Sequence, residues 1–312
     1  MIGWQVPLAA AFAAVGVSVL AGCVAPARDS APGNDRAQAH RPQDRPAPPP
    51  PVRRATPPGA ADFTFAGEQT QGGWIRGTAP GGTERLTLDG AEIATAADGT
   101  FFAAFDRDAG PSATLVAILA DGRRVERRLA ISPRAWRIEH INVARKPGGP
   151  TEAFLKIRRP ELERINAARA VNAHSDGWRQ TFIWPAKGRI SGLFGSQRVY
   201  RGEPGAYHSG LDIATGGSGA PFVAPADGVV VLAAQTPFSL EGHLLMIDHG
   251  NGLNSAFLHC SALLVREGER VKQGQVIGRI GATGRATGPH LHWSIKWRDA
   301  RLDPLLFTGP MR

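Results

Sequence analysis

The chain has 312 residues, 42% of them hydrophobic, and 36 Lys+Arg against 27 Asp+Glu give a formal charge of +9. That is enough apolar chain for two modest domains, and two cysteines, Cys23 and Cys260, exclude a disulfide-dense scaffold. The basic excess favours anionic partners, but without helix-turn-helix, zinc-finger or aromatic RNA-binding signals nucleic acid is not expected among them.

The apolar run from Val6 to Leu20 is too short to span a membrane comfortably and reads as the hydrophobic part of a secretory signal. At its end Leu20-Ala21-Gly22-Cys23 resembles a bacterial lipobox, although no Lys or Arg precedes the run. The resemblance implies that residues 1–23 are a signal peptide and that Cys23 becomes a lipidated anchor rather than a thiol. Val24, where an aspartate is absent, resembles the pattern sent to the outer membrane, so the chain is expected there, facing the periplasm of a Gram-negative envelope.

Residues 24–61 are dominated by Pro, Ala and Arg, lack apolar periodicity and cannot bury a core. They are expected to form a disordered, partly polyproline tether. Within it His40 and Asp44 show a His-x-x-x-Asp spacing, so that spacing by itself carries little weight.

Over residues 62–132 short alternating runs are divided by Asp-Gly turns at Asp89-Gly90, Asp98-Gly99 and Asp121-Gly122, which is hairpin chemistry. A small antiparallel β-sandwich of six or seven strands follows, with no catalytic constellation: a spacer or binding module. Residues 133–180 read as a linker with one helix. There Leu162, Ile165, Ala168 and Val171 stand at helical spacing, and Pro160 suits a first turn.

Residues 181–308 are almost purely β, with apolar runs punctuated by glycines, and imply a barrel or half-barrel whose loops crowd one rim. In GATGRATGPHLHWSIKW, from Gly281 to Trp297, His290 and His292 are two apart and on a strand face one side. Upstream, in YHSGLDIA, His208 and Asp212 are again separated by an even number of residues. Two such histidines could equally well cap a sheet edge.

The ordered set His208-Ser-Gly-Leu-Asp212, Val223-Ala-Pro-Ala-Asp-Gly228, Asp248-His-Gly250, Phe257-Leu-His259, Gly274-Gln-Val-Ile-Gly278, Thr283-Gly284 and Thr287-Gly-Pro-His-Leu-His292 resembles the lysostaphin-type (LytM-type) zinc metallopeptidases. It spans residues 184–304 and is specific as a set, though no single part is. The resemblance implies a zinc endopeptidase that hydrolyses peptide cross-links of peptidoglycan, with stem peptides as substrate and one Zn²⁺ per chain; a monomer is expected. It also implies that His208, Asp212 and His292 are the zinc ligands and that His259 and His290 are unligated catalytic histidines. Two imidazoles and a carboxylate would leave a fourth tetrahedral position for water, which zinc can activate as nucleophile. One histidine would act as general base and the other as oxyanion donor.

Tyr200 is a candidate for the transition-state tyrosine that some relatives place before the first ligand. Phe257 stands where many members have Tyr, which would remove one hydroxyl from the site. His249 is expected as a turn residue, His140, His174 and His243 as exposed or capping groups, and Cys260 as a small core residue. Some lipoproteins with this domain have lost ligands and activate separate amidases. That regulator is the alternative, and the complete set of ligand and catalytic residues argues for the enzyme.

Overall fold

The structure is a computed structural model and describes residues 59–144 and 149–311. Cys23 and the tether before Gly59 lie outside the described residues, and among those described no helix is long and apolar enough to cross a membrane.

The first seven strands are β1 (Thr64–Gly67), β2 (Trp74–Thr78), β3 (Thr83–Leu88), β4 (Ala91–Ile93), β5 (Thr100–Ala104), β6 (Ser112–Leu119) and β7 (Arg124–Ala130). They form two antiparallel sheets, β1-β2-β5 and β4-β3-β6-β7. In β6 every second residue, from Ala113 to Leu119, is buried, which is the alternation of a half-buried strand. Asp89 and Gly90 both take positive φ between β3 and β4, 49° and 82°, as a two-residue hairpin turn matched to strand twist requires.

The linker holds a strand that its sequence did not announce. β8 (Ile138–Ile141) pairs in parallel with the later strand β10 (Gln197–Tyr200). It is followed by α1 (Glu152–Ala170), which begins two turns before the position expected from Pro160. The Thr151 hydroxyl accepts from Phe154 N–H and caps the helix there, so Pro160 stands in mid-helix. Of the four residues that marked the helix, Ile165 and Ala168 are buried, whereas Leu162 and Val171 are exposed.

After a 3₁₀ turn (Gly177–Arg179) come β9 (Arg189–Gly192), β10 (Gln197–Tyr200), β11 (Glu203–Pro204), β12 (Leu211–Ala214), β13 (Pro221–Val223), β14 (Gly228–Ala233) and β15 (His243–Asp248). Then follow β16 (Leu253–Cys260), β17 (Ala262–Leu263), β18 (Arg270–Val271), β19 (Val276–Arg279), β20 (Leu291–Trp297), β21 (Ala300–Leu302) and α2 (Leu305–Thr308). The main sheet runs β18-β14-β15-β16-β20-β12-β9 with β21 beside β20, and it ends in two open edges. It is therefore a half-barrel rather than a closed barrel.

Along β20, Leu291, Trp293 and Ile295 are fully buried on one face, and His292, Ser294 and Lys296 share the other. α1 lies on that second face, where Ile165 and Ala168 pack with Leu244, Met246 and Ala256. On the opposite face one continuous core joins the sandwich to the sheet, with Trp74 and Phe182 5.2 Å from Phe307 and Phe102 6.0 Å from Trp297. Aromatic pairs at these spacings anchor such a seam beyond their area burial.

Candidate metal centre

Sheet register brings the first two candidates together. Asp212 on β12 is the cross-strand partner of His292 on β20, and Leu258 on β16 is the partner of His292 on its other side. His208 approaches from the loop before β12. Asp212 Oδ1 lies 2.9 Å from His292 Nδ1 and 3.0 Å from His208 Nε2, and the two ring nitrogens are 3.1 Å apart.

That triangle fits a tetrahedral divalent cation such as zinc, since bonds of about 2.0–2.1 Å place neighbouring ligand atoms about 3.3 Å apart. The proton positions agree. His208 Nδ1 is 3.0 Å from the Leu193 carbonyl oxygen, which only accepts, so Nδ1 carries the hydrogen and a neutral ring presents the Nε2 lone pair to Asp212. A lone pair facing a carboxylate at that distance needs a cation or a proton between them. The same demand appears in the acid–base balance: burial pulls His208 down, but the hydrogen bond and charge of Asp212 outweigh it and hold the imidazole above its ordinary value. Burial likewise pushes Asp212 up, yet His208 and His292 together hold it well below the usual carboxylate range.

The backbone is kept clear around the donors. A Cβ at residue 192 would stand 2.3 Å from Asp212 Oδ2, and one at residue 210 would stand 2.6 Å from His292 Nε2, so both positions are glycine.

His290 and His259 reach the same side by different routes. His290 immediately precedes β20 and is held by a bridge to Gly281. Its Nδ1–H donates to the Gly288 carbonyl at 2.8 Å, and its Nε2 is 3.7 Å from Asp212 Oδ1. On a regular strand His259 would face the core with Phe257. Instead β16 carries a bulge, in which the register against β15 shifts between His243 and Leu245, and His259 takes a left-handed φ of 64°. The imidazole is thereby turned to the His292 side, with ring centres 4.9 Å from His290 and 6.2 Å from His292. His259 Nδ1–H donates to the Thr283 carbonyl at 2.9 Å, which leaves Nε2 as the lone-pair nitrogen, and burial holds the ring below its ordinary value.

Thr283 is a supporting residue whose role the sequence did not disclose. Its hydroxyl accepts from His243 N–H and donates to the Cys260 carbonyl, which fixes the carbonyl that orients His259. The signal was present as Thr283-Gly284 in the motif, but without a partner assigned to it.

Three other expectations are corrected. His249 is not a simple turn residue: it is fully buried, donates from Nδ1 to the Asp227 carbonyl and bonds Ser255 Oγ through Nε2, and burial pushes it down to about 4. Phe257 is buried against Phe222 on the core side of the sheet, so a hydroxyl there would not have faced the metal centre. His243 is a half-buried strand residue bonded to the Ala234 carbonyl, whereas His140 and His174 are exposed. Cys260 is in the core as expected, and burial pushes its thiol up to about 12. Tyr200 lines the edge of a groove of 1320 Å³ that leads to His208 and Asp212, together with Arg137, Tyr207 and Arg285.

The model of peptidase family M23 matches residues 206–304. The peptidoglycan DD-endopeptidase ShyA of Vibrio cholerae is 38% identical over 133 residues, 42% of this chain and 30% of its own length. The murein hydrolase activator NlpD of Escherichia coli is 35% identical over 127 residues, 41% of this chain and 31% of its own. The chain thus aligns with less than a third of these relatives. A solved chain from Pseudomonas aeruginosa described as a peptidase M23 superposes with a TM-score of 0.59 at 26% identity, covering 78% of this chain and 96% of that one. Residues 206–304, which hold the three candidate metal ligands, thus carry a peptidase M23 (LytM-type) domain.

Proposed function

We propose that the protein is a zinc-dependent endopeptidase that cuts peptide cross-links of peptidoglycan. The observation that carries this is the closed triangle of His208 Nε2, Asp212 Oδ1 and His292 Nδ1 with two further histidines beside it that donate no ring hydrogen to a ligand atom. His208, Asp212 and His292 would hold the metal. When bound, zinc supplies Lewis acidity, polarising the scissile carbonyl and making water acidic enough to attack near neutral pH.

The chain's own groups supply the proton traffic. His259, neutral and fixed by Thr283, is suited to take a proton at Nε2 and return it to the departing amine. His290, beside Asp212 and with Nδ1–H already given to the Gly288 carbonyl, would donate from Nε2 to the developing oxyanion as the imidazolium. The groove of 1320 Å³ along β10 offers an extended peptide a path to these atoms. Upstream, lipidated Cys23 would tie the chain to the outer membrane while residues 24–61 let the domain reach the wall.

Purified sacculi incubated with the soluble chain, with and without a chelator, test this by muropeptide analysis. Chelator-sensitive loss of cross-linked dimers is expected. A metal-loaded protein that leaves every cross-link intact would favour the activator role, which the likeness to NlpD also supports.

A further inference from the structure

A second cavity, of 290 Å³, lies between α1 and the ligand-bearing face of the sheet and opens onto His292. Leu162, Asn166 and Arg169 reach it from α1 at spacings of four and three residues, which places them on one flank. Ser294 and Lys296 reach it from β20 in the row that begins with His292, and Ser209 adds a hydroxyl next to His208. Arg301 closes the far end, because its strand sets it directly opposite Lys296.

Those last residues make a charge pattern that the fold alone does not require. Like charges directly opposite on paired strands repel, and Arg169 is a third cation on the same cavity. Burial, followed by the field of Arg301, holds Arg169 below its ordinary value, and burial followed by Arg169 does the same to Lys296. Compensation is thin. Among the described residues no carboxylate lies within 4 Å of the Arg169 side chain, whose Nε is buried without a hydrogen-bond partner, and the Arg301 guanidinium donates only to the Tyr207 hydroxyl at 3.3 Å, its backbone N–H being the group that meets Asp106 Oδ2 at 2.8 Å. Lys296 has only Asp299 at 3.3 Å, and that acid is fully exposed. The fourth cation, Arg158, is already taken, with its fork on Glu241 at 2.6 and 2.7 Å and on Glu161 at 3.0 Å, so at that end one cation stands against two carboxylates.

We infer that this cavity is an anion subsite of the substrate groove, in which Arg169, Lys296 and Arg301 bind a free carboxylate of the peptide being cut. The inference rests on the endopeptidase reading above and adds a recognition element to it. Its position sets the geometry: Lys296 is four residues beyond His292, about 13 Å along the strand, a span that about four residues of extended peptide cover. A carboxylate fits where a polymer would not, and planar guanidinium forks are matched to it. Arg169 comes from α1, outside the matched residues 206–304, so the linking helix would contribute to substrate choice.

The test uses a synthetic dimer of stem peptides joined by a D,D cross-link, in two forms that differ only in whether the free carboxylates are amidated. Wild type should show kcat/KM at least about 10-fold higher for the acid form, as expected for charged hydrogen bonds. Arg169→Gln and Lys296→Gln should lose that preference mainly through KM, with zinc content and turnover of the amidated dimer unchanged. Equal cleavage of both dimers by wild type, or an equal loss on both in the variants, overturns the subsite. Should wild type cut neither dimer and also leave sacculi intact, the endopeptidase reading fails, and fluorescence anisotropy decides the subsite separately. Tighter binding of the acid form that disappears in Arg169→Gln supports it, and equal binding of the two forms refutes it.

Discussion

Asp212 and His292 face each other across paired strands, with Asp212 Oδ1 2.9 Å from His292 Nδ1, and His259 enters their side of the sheet only because β16 bulges. Residues that meet at the triangle and residues that stand beside it should therefore separate by experiment. His292→Ala or Asp212→Ala removes one of three donors, so bound zinc should fall steeply and activity with it. His259→Ala should retain about one zinc per chain while turnover falls about 100-fold or more, the usual contribution of a general base. Metal analysis and dye release from labelled peptidoglycan on the same samples check both. Equal zinc loss in His259→Ala and His292→Ala would overturn the division of roles.

A methyl group at position 192 should disturb the metal without touching a donor, since it would stand 2.3 Å from Asp212 Oδ2. Gly192→Ala is expected to weaken zinc binding at least about 10-fold, the scale of a displaced ligand-orienting contact. Gly217→Ala, where a Cβ meets nothing within 4 Å, should bind zinc as wild type does. Competition with a chromophoric chelator measures both.

Fully buried His249 is neutral in the folded chain, with its pKa pushed down to about 4 against about 6.5 when unfolded. Between those values the unfolded chain binds the extra proton, so the stability this group supports is complete above about pH 6.5 and is lost as pH falls towards 4. A difference of that size is on the order of 3 kcal/mol. Urea unfolding at pH 7.5 and 4.5 should show a steeper loss for wild type than for His249→Gln, and parallel losses would contradict the linkage.

The helix is tied to the site side of the sheet by an ion pair with little exposure. Arg158 bridges Glu241, whose backbone carbonyl accepts from His259 N–H, and Glu161, which accepts from Ser239. Arg158→Ala leaves two carboxylates uncompensated and should cost about 3 kcal/mol by chemical denaturation. Arg159→Ala removes only an exposed pair with Glu152 and should stay within about 0.5 kcal/mol of wild type. A similar cost for the two would mean that α1 is not held through Arg158.

The sequence by itself determined the local chemistry. Asp-Gly turns marked the sandwich hairpins, period-two alternation marked β6 and β20, and the ordered His and Asp motifs marked the side chains of His208, Asp212, His259, His290 and His292 that stand together at the candidate metal centre. What it misjudged locally had competing signals: Pro160 looked like a helix start, while the Thr151 cap and the apolar turn after it began α1 earlier.

Only the tertiary structure decided how those residues meet. His208 and His292 are 84 residues apart, and their contact depends on the pairing of β12 with β20, which no local pattern specifies. Strand alternation would have sent His259 into the core, and a single bulge opposite β15 reverses it. Arg169, Lys296 and Arg301 become neighbours only when α1 packs on one face of the sheet and β21 turns back beside β20. Period and turn chemistry act over a few bonds, whereas register, bulges and helix docking are fixed by the joint burial of distant side chains, and it is this that sets the distances on which the chemistry depends.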